Sequence, residues 1–248
     1  MRKMLVSVGC SVVLCACSTG SAPPLPAQSA TNLLVSSAGV YSGVFSTNVP
    51  VTLLSLYNGS AYLFYQRPVA AVIVVTNGQQ TGNGQFTGTA ATQYTLAPNA
   101  AASPVQVQID FSRSPNVSGT ITAPGSGTAP MTFSAAPKPM LGQGPGLAAI
   151  AGEYNGQMGS MQSTGSAQML IAGDGLLAGS MSGGCEFRGK VTPDSGVNAY
   201  SASVTFSGTG CAAPNTTVTG SALVDESRLL IALPKPDRSD VVVFDGTK

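Results

Sequence analysis

The chain has 248 residues, 8% of them charged, with a formal net charge of +1, no His and no Trp. That length allows one to two domains, and charge this far below the usual ~25% leaves no polyanion-binding footprint and no expectation of a nucleic-acid partner. The missing His excludes Ser-His, Cys-His and His-metal mechanisms, and the missing Trp removes the strongest aromatic platform for sugars, bases and quaternary amines. Thirty Gly and 17 Pro suit short strands and turns better than long helices.

Arg2 and Lys3 open a secretory-type segment, and Met4 to Leu14 follows as an apolar run too short to span a bilayer. The run ends in Leu14-Cys15-Ala16-Cys17, which resembles the lipobox of bacterial lipoproteins. The resemblance implies a signal peptide over residues 1–16, a diacylglycerol thioether on Cys17 and an acyl chain on the new amino terminus. Ser18, rather than Asp, follows the lipidated residue, as is similar to lipoproteins sent to the outer membrane of Gram-negative bacteria. Residues 17–37 then read as a lipidated Cys and an uncharged tether stiffened by Pro23, Pro24 and Pro26. With Cys10 and Cys15 removed and Cys17 lipidated, Cys185 and Cys211 remain in an oxidising compartment and are expected to form a disulfide.

Residues 38–136 read as an N-terminal β lobe. Val51–Tyr57, Ala61–Tyr65 and Val69–Val75 are apolar at nearly every position, so both faces must be covered, by the second lobe, a partner or lipid. Val105, Val107, Ile109 and Phe111 alternate with polar residues as a half-buried strand does. A Pro/Gly linker over 137–147 leads into a C-terminal β lobe over 148–248. There, segments near 152–158, 166–172, 176–182, 185–191, 200–206, 218–224, 228–233 and 240–245 predict eight strands. Gly173-Asp174-Gly175 and Pro193-Asp194-Ser195-Gly196 have hairpin turn chemistry, and the second brings Cys185 and Cys211 to one end. The expected class is all-β: two tandem lobes of about eight antiparallel strands each, as up-and-down barrels or sandwiches.

Three landmarks recur in the same order in both halves: Gly39–Gly43 with Gly152–Gly156, Gly82–Thr89 with Gly173–Ser180, and Val117–Thr120 with Val218–Ser221. This predicts internal duplication. The Gly-x-Tyr-x-Gly opening followed by an Asx-Gly turn resembles small eight-stranded barrels such as avidins, although without Trp a biotin site is not expected. Val218–Val224 followed by Arg228–Leu233 is similar to the closing hairpin of barrel lobes in transferrin-binding and factor H-binding surface lipoproteins.

Candidate chemistry is sparse. Gly184–Lys190 nearly matches a phosphate loop, but Val191 stands where Ser or Thr must hold magnesium, and the segment alternates as a strand. Glu153, Asp174, Glu186, Asp194, Asp225 and Glu226 fall at strand starts and turns, and only a converging pair of them would support a carboxylate-based hydrolase. Met158, Met161, Met169 and Met181 could ligate copper(I), but Met also fills barrel interiors, and no metal site is expected. Tyr57, Tyr62, Phe64 and Tyr65 form an aromatic patch able to contact a ligand or a protein partner, with Tyr62 and Phe64 on one strand face and Tyr65 on the other. The expected function is a non-enzymatic outer-membrane lipoprotein, with no cofactor beyond its lipid, acting as a surface or periplasm-facing binding module. The alternatives are a lipocalin-like carrier of a small apolar ligand and a hydrolase.

Overall fold

The computed structural model describes residues 37–113, 115–138, 146–208, 210, 211 and 213–248. The signal segment, Cys17, the tether up to residue 36 and most of the Pro/Gly linker lie outside the described residues.

The first lobe contains β1 (Gly39–Phe45), β2 (Pro50–Ser55), β3 (Ala61–Tyr65), β4 (Ala71–Val75), β5 (Gln79–Gln80), β6 (Gln85–Thr95), β7 (Ser103–Asp110), β8 (Val117–Thr122) and β9 (Met131–Pro137). The sheet runs β4-β3-β2-β1-β9-β8-β7-β6, and β4 pairs with β6 to close it as an eight-stranded barrel. The two-residue β5 only extends the start of β6. After a single helical turn, α1 (Leu147–Ile150), the second lobe follows as β10 (Gly152–Gly159), β11 (Thr164–Ile171), β12 (Leu176–Met181), β13 (Cys185–Pro193), β14 (Ala199–Ser207), β15 (Thr217–Asp225), β16 (Arg228–Pro234) and β17 (Val241–Thr247). These eight strands form a closed up-and-down barrel, with β10 paired to β17. Closure leaves no sheet edge to cover.

Glycines let each first strand close onto its last strand. A Cβ on Gly43 would lie 1.9 Å from the Ser134 carbonyl oxygen, and one on Gly156 would lie 2.1 Å from that of Asp245. The neighbouring tyrosines match as well: the Tyr41 hydroxyl donates to the Ser37 carbonyl, and Tyr154 to that of Ile150. The first pair of landmarks therefore occupies equivalent places. The second pair builds one kind of turn, in which Asn83 and Asp174 accept from the backbone N–H two residues on. It opens the fifth barrel strand in the first lobe and the third in the second. The last pair lies on the seventh and sixth strands, so landmark order is kept while strand position is not.

Both interiors are filled by side chains. Phe45, Phe86, Phe111, Phe133, Tyr41 and Tyr65 pack inside the first barrel. Tyr154, Phe187, Phe206, Phe244, Met158 and Met169 pack inside the second, and Ile150 of α1 plugs one end. The inward alternation of Cys185, Phe187 and Val191 and of Tyr200, Ala202, Val204 and Phe206 follows the expected pattern.

The two barrels belong to one compact unit. The outer faces of β2, β3 and β4 pack on those of β15, β16 and β17, joining Leu54, Phe64 and Val72 to Leu223, Leu230 and Val241 in a separate buried cluster. The second lobe is therefore the cover that the doubly apolar strands require.

Polar contacts pin this apolar seam. Asp245, its side chain only 9% exposed, accepts from Arg228 Nε at 2.6 Å and Nη2 at 2.8 Å, and its Oδ2 also accepts from the Val69 N–H of the first lobe at 2.8 Å. Within the second lobe, beside the seam, Asp240 accepts from the N–H groups of Met161 and Val241, and its other oxygen faces Lys235 Nζ at 3.6 Å. Lys138, just past β9, pairs with the buried Asp225.

Candidate binding cleft

At one side of the seam the barrels diverge and leave a cleft of about 630 Å³ walled by both lobes. The second lobe supplies the flatter wall. Outward positions on β13, β14 and β15 stand in register as two rows, Lys190–Ser203–Thr219 and Thr192–Ser201–Ser221. Neighbouring strands are about 4.8 Å apart and successive outward residues about 6.8 Å apart, so the wall is a regular grid of short side chains. Among the described residues, the hydroxyls of Thr192, Ser201, Ser203 and Thr219 have no protein hydrogen-bond partner.

The first lobe supplies Asn58, Ser60, Thr76 and Thr92 together with Tyr62 and Tyr94. Burial pushes the Tyr62 phenol above its usual range, with Ser221 opposing this through a hydrogen bond. Burial also raises the Tyr94 phenol, whose hydroxyl donates to the Arg238 carbonyl at 3.2 Å. Arg238 sits at φ 59° in the loop between β16 and β17, and its Nη2 donates to Thr76 Oγ1 at 2.5 Å. This loop thus spans the cleft and ties one wall to the other. Among the described residues, Lys190, Lys235 and Arg238 line the cleft together with one carboxylate, Asp194.

The four aromatic candidates separate. Tyr62 lines the cleft and stacks on Phe64, with centroids 6.5 Å apart and planes 18° off parallel. Phe64 is sealed in the seam, whereas Tyr65 points into the first barrel, as strand alternation predicts. Tyr57 is 65% exposed and reaches across to the Pro193–Gly196 turn, where a Cβ on Gly196 would meet its ring at 2.6 Å. The phosphate-loop lookalike is strand β13. Met158 and Met169 are interior, Met181 packs against the same cluster, and Met161 lies in the seam. Among the described residues no three His, Cys, Asp or Glu side chains gather as a metal site. The Cys185–Cys211 disulfide is formed across the open end of the β13–β14 hairpin.

Arg228, Arg238, Asp240 and Asp245 were not singled out by sequence reasoning. The available signal was charge inside or beside apolar runs, as in Val241-Val-Val-Phe-Asp245, in a chain with few charges to place. No family model matches the chain, and no curated protein matches it.

Proposed function

We propose that this protein is a lipid-anchored, non-enzymatic binding module of the Gram-negative outer membrane, and that the cleft between its barrels is the binding site. One observation carries the site: both barrel interiors are filled, while the junction holds an open, hydroxyl- and cation-lined space of about 630 Å³. That volume is within the ~300–1,000 Å³ of ordinary ligand sites. A lipocalin-type carrier needs room inside the barrel, so filled interiors favour recognition outside. Among the described residues Asp194 is the one carboxylate lining the cleft, and an acid-base pair needs two, which favours binding over hydrolysis. The anchor rests on Leu14-Cys15-Ala16-Cys17, with the lipid on Cys17 and Ser18 directing export. Three acyl chains exceed the two signals that suffice for stable anchoring.

One labelling experiment tests both parts. Wild-type protein in its own membranes and the Cys17→Ala variant are acetylated at lysine and compared by peptide mass spectrometry. The variant is expected in the soluble fraction. Lys190, relative to Lys248, is expected to react several-fold less in the membranes than in the free variant. A variant that still sediments overturns the anchor, and an unchanged Lys190 to Lys248 ratio overturns the cleft.

A further inference from the structure

We propose that the ligand of this cleft is an acidic oligosaccharide, a short chain of hydroxyl-rich rings bearing carboxylates. This rests on the cleft being the binding site and names the chemistry it selects. The hydroxyls of Thr192, Ser201, Ser203 and Thr219 have no protein partner among the described residues, and each can both donate and accept. An apolar ligand would strip water from these groups and leave them unpaired, which opposes binding. A chain of polyols returns a hydrogen bond to each, and the repeat of the two rows suits a ligand that itself repeats.

The charge on the walls sets the acidity. Lys190 is exposed at one row end, with Ser203 beside it in register. Arg238 and Lys235 occupy the opposite lip, where Arg238 is already positioned by Thr76. Lys235 has a carboxylate partner in Asp240, whereas Lys190 has none among the described residues. A neutral sugar would leave Lys190 and Arg238 without an ionic partner among the described residues, while a lone inorganic anion would leave the hydroxyl grid and most of the 630 Å³ unused. Recognition would come from hydrogen bonds and charge rather than ring stacking, in keeping with a chain that has no Trp.

The test is calorimetric titration of the soluble Cys17→Ala chain with trigalacturonate, maltotriose and inorganic phosphate. Trigalacturonate is expected to bind at least tenfold more tightly than maltotriose, and to weaken with added salt. Lys190→Gln is expected to weaken it several-fold and to reduce the salt dependence. Ser203→Trp, at an exposed position and checked for an unchanged thermal midpoint, is expected to abolish it. Equal binding of the two trisaccharides overturns the acidic assignment and leaves the cleft standing. Binding of phosphate alone, or of none of the three, also overturns that assignment. Trigalacturonate binding that survives both Ser203→Trp and Lys190→Gln places the ligand elsewhere and overturns the cleft as well.

Discussion

Single residues show how little slack the barrels have. Tyr154 and Tyr65 are both buried inward-facing phenols, and burial pushes each up to about 12. Their hydroxyls differ. Tyr154 donates to the Ile150 carbonyl at 2.8 Å, while the Tyr65 hydroxyl has no hydrogen-bond partner among the described residues. Tyr154→Phe should therefore cost about 1 kcal/mol, and Tyr65→Phe should be neutral or stabilising, since it removes a buried unpaired polar group. Because the folded-state values lie above the ordinary tyrosine value of 10.0, stability is fully present below pH 10 and is lost as pH rises towards about 12. Urea unfolding of wild type and both variants at neutral and alkaline pH checks this. A Tyr65→Phe variant less stable than Tyr154→Phe would contradict it.

At the scale of elements, the β13–β14 hairpin carries most of the recognisable chemistry. Its inward face holds Cys185, Phe187 and Val191, and its outward face contributes Lys190, Thr192, Ser201 and Ser203 to the cleft. One strand thus serves the core and the candidate site at once, because side chains alternate across it. The disulfide ties the start of β13 to the segment after β14 over a separation of 26 residues. Closing a loop of that size stabilises by about 3.5 kcal/mol through the unfolded chain. The double variant Cys185→Ser, Cys211→Ser should lose roughly that amount in denaturant unfolding while keeping its far-ultraviolet circular dichroism. Two free thiols by intact mass in exported wild-type protein would show that the bridge does not form.

At the scale of the whole molecule, the seam makes two barrels one structure. Asp245 joins Arg228 of its own lobe to the Val69 N–H of the other. Asp245→Ala leaves a mostly buried guanidinium without its partner, which costs about 3–5 kcal/mol. For a unit of this size that is a drop of roughly 10 °C in thermal midpoint. The double variant Arg228→Met, Asp245→Ala should lose less than Asp245→Ala alone, because no unpaired charge stays buried. Scanning calorimetry of the three proteins decides it, and equal losses for single and double variants would show that the unpaired buried charge is not what destabilises Asp245→Ala.

The residue pattern by itself determined the class and nearly every strand of the second lobe. β10 to β14 are wet on one face over much of their length, so inside and outside are written in alternation, as along Tyr200 to Phe206, whereas Leu229 to Leu233 and Val241 to Phe244 are buried on both faces. It also marked β2, β3 and β4 as covered on both faces, though not by what. Tyr62, Lys190 and Asp194 were legible as residues but not as members of one site, since they reach the cleft from different barrels. Arg238 and Asp245 were not singled out at all. Only the tertiary structure chose closed barrels over sandwiches, made the second lobe the cover, and opened a polar cleft beside it. Periodicity reports which face of a strand is buried. Barrel closure and lobe docking depend on pairings between residues far apart in the chain, which local pattern does not encode.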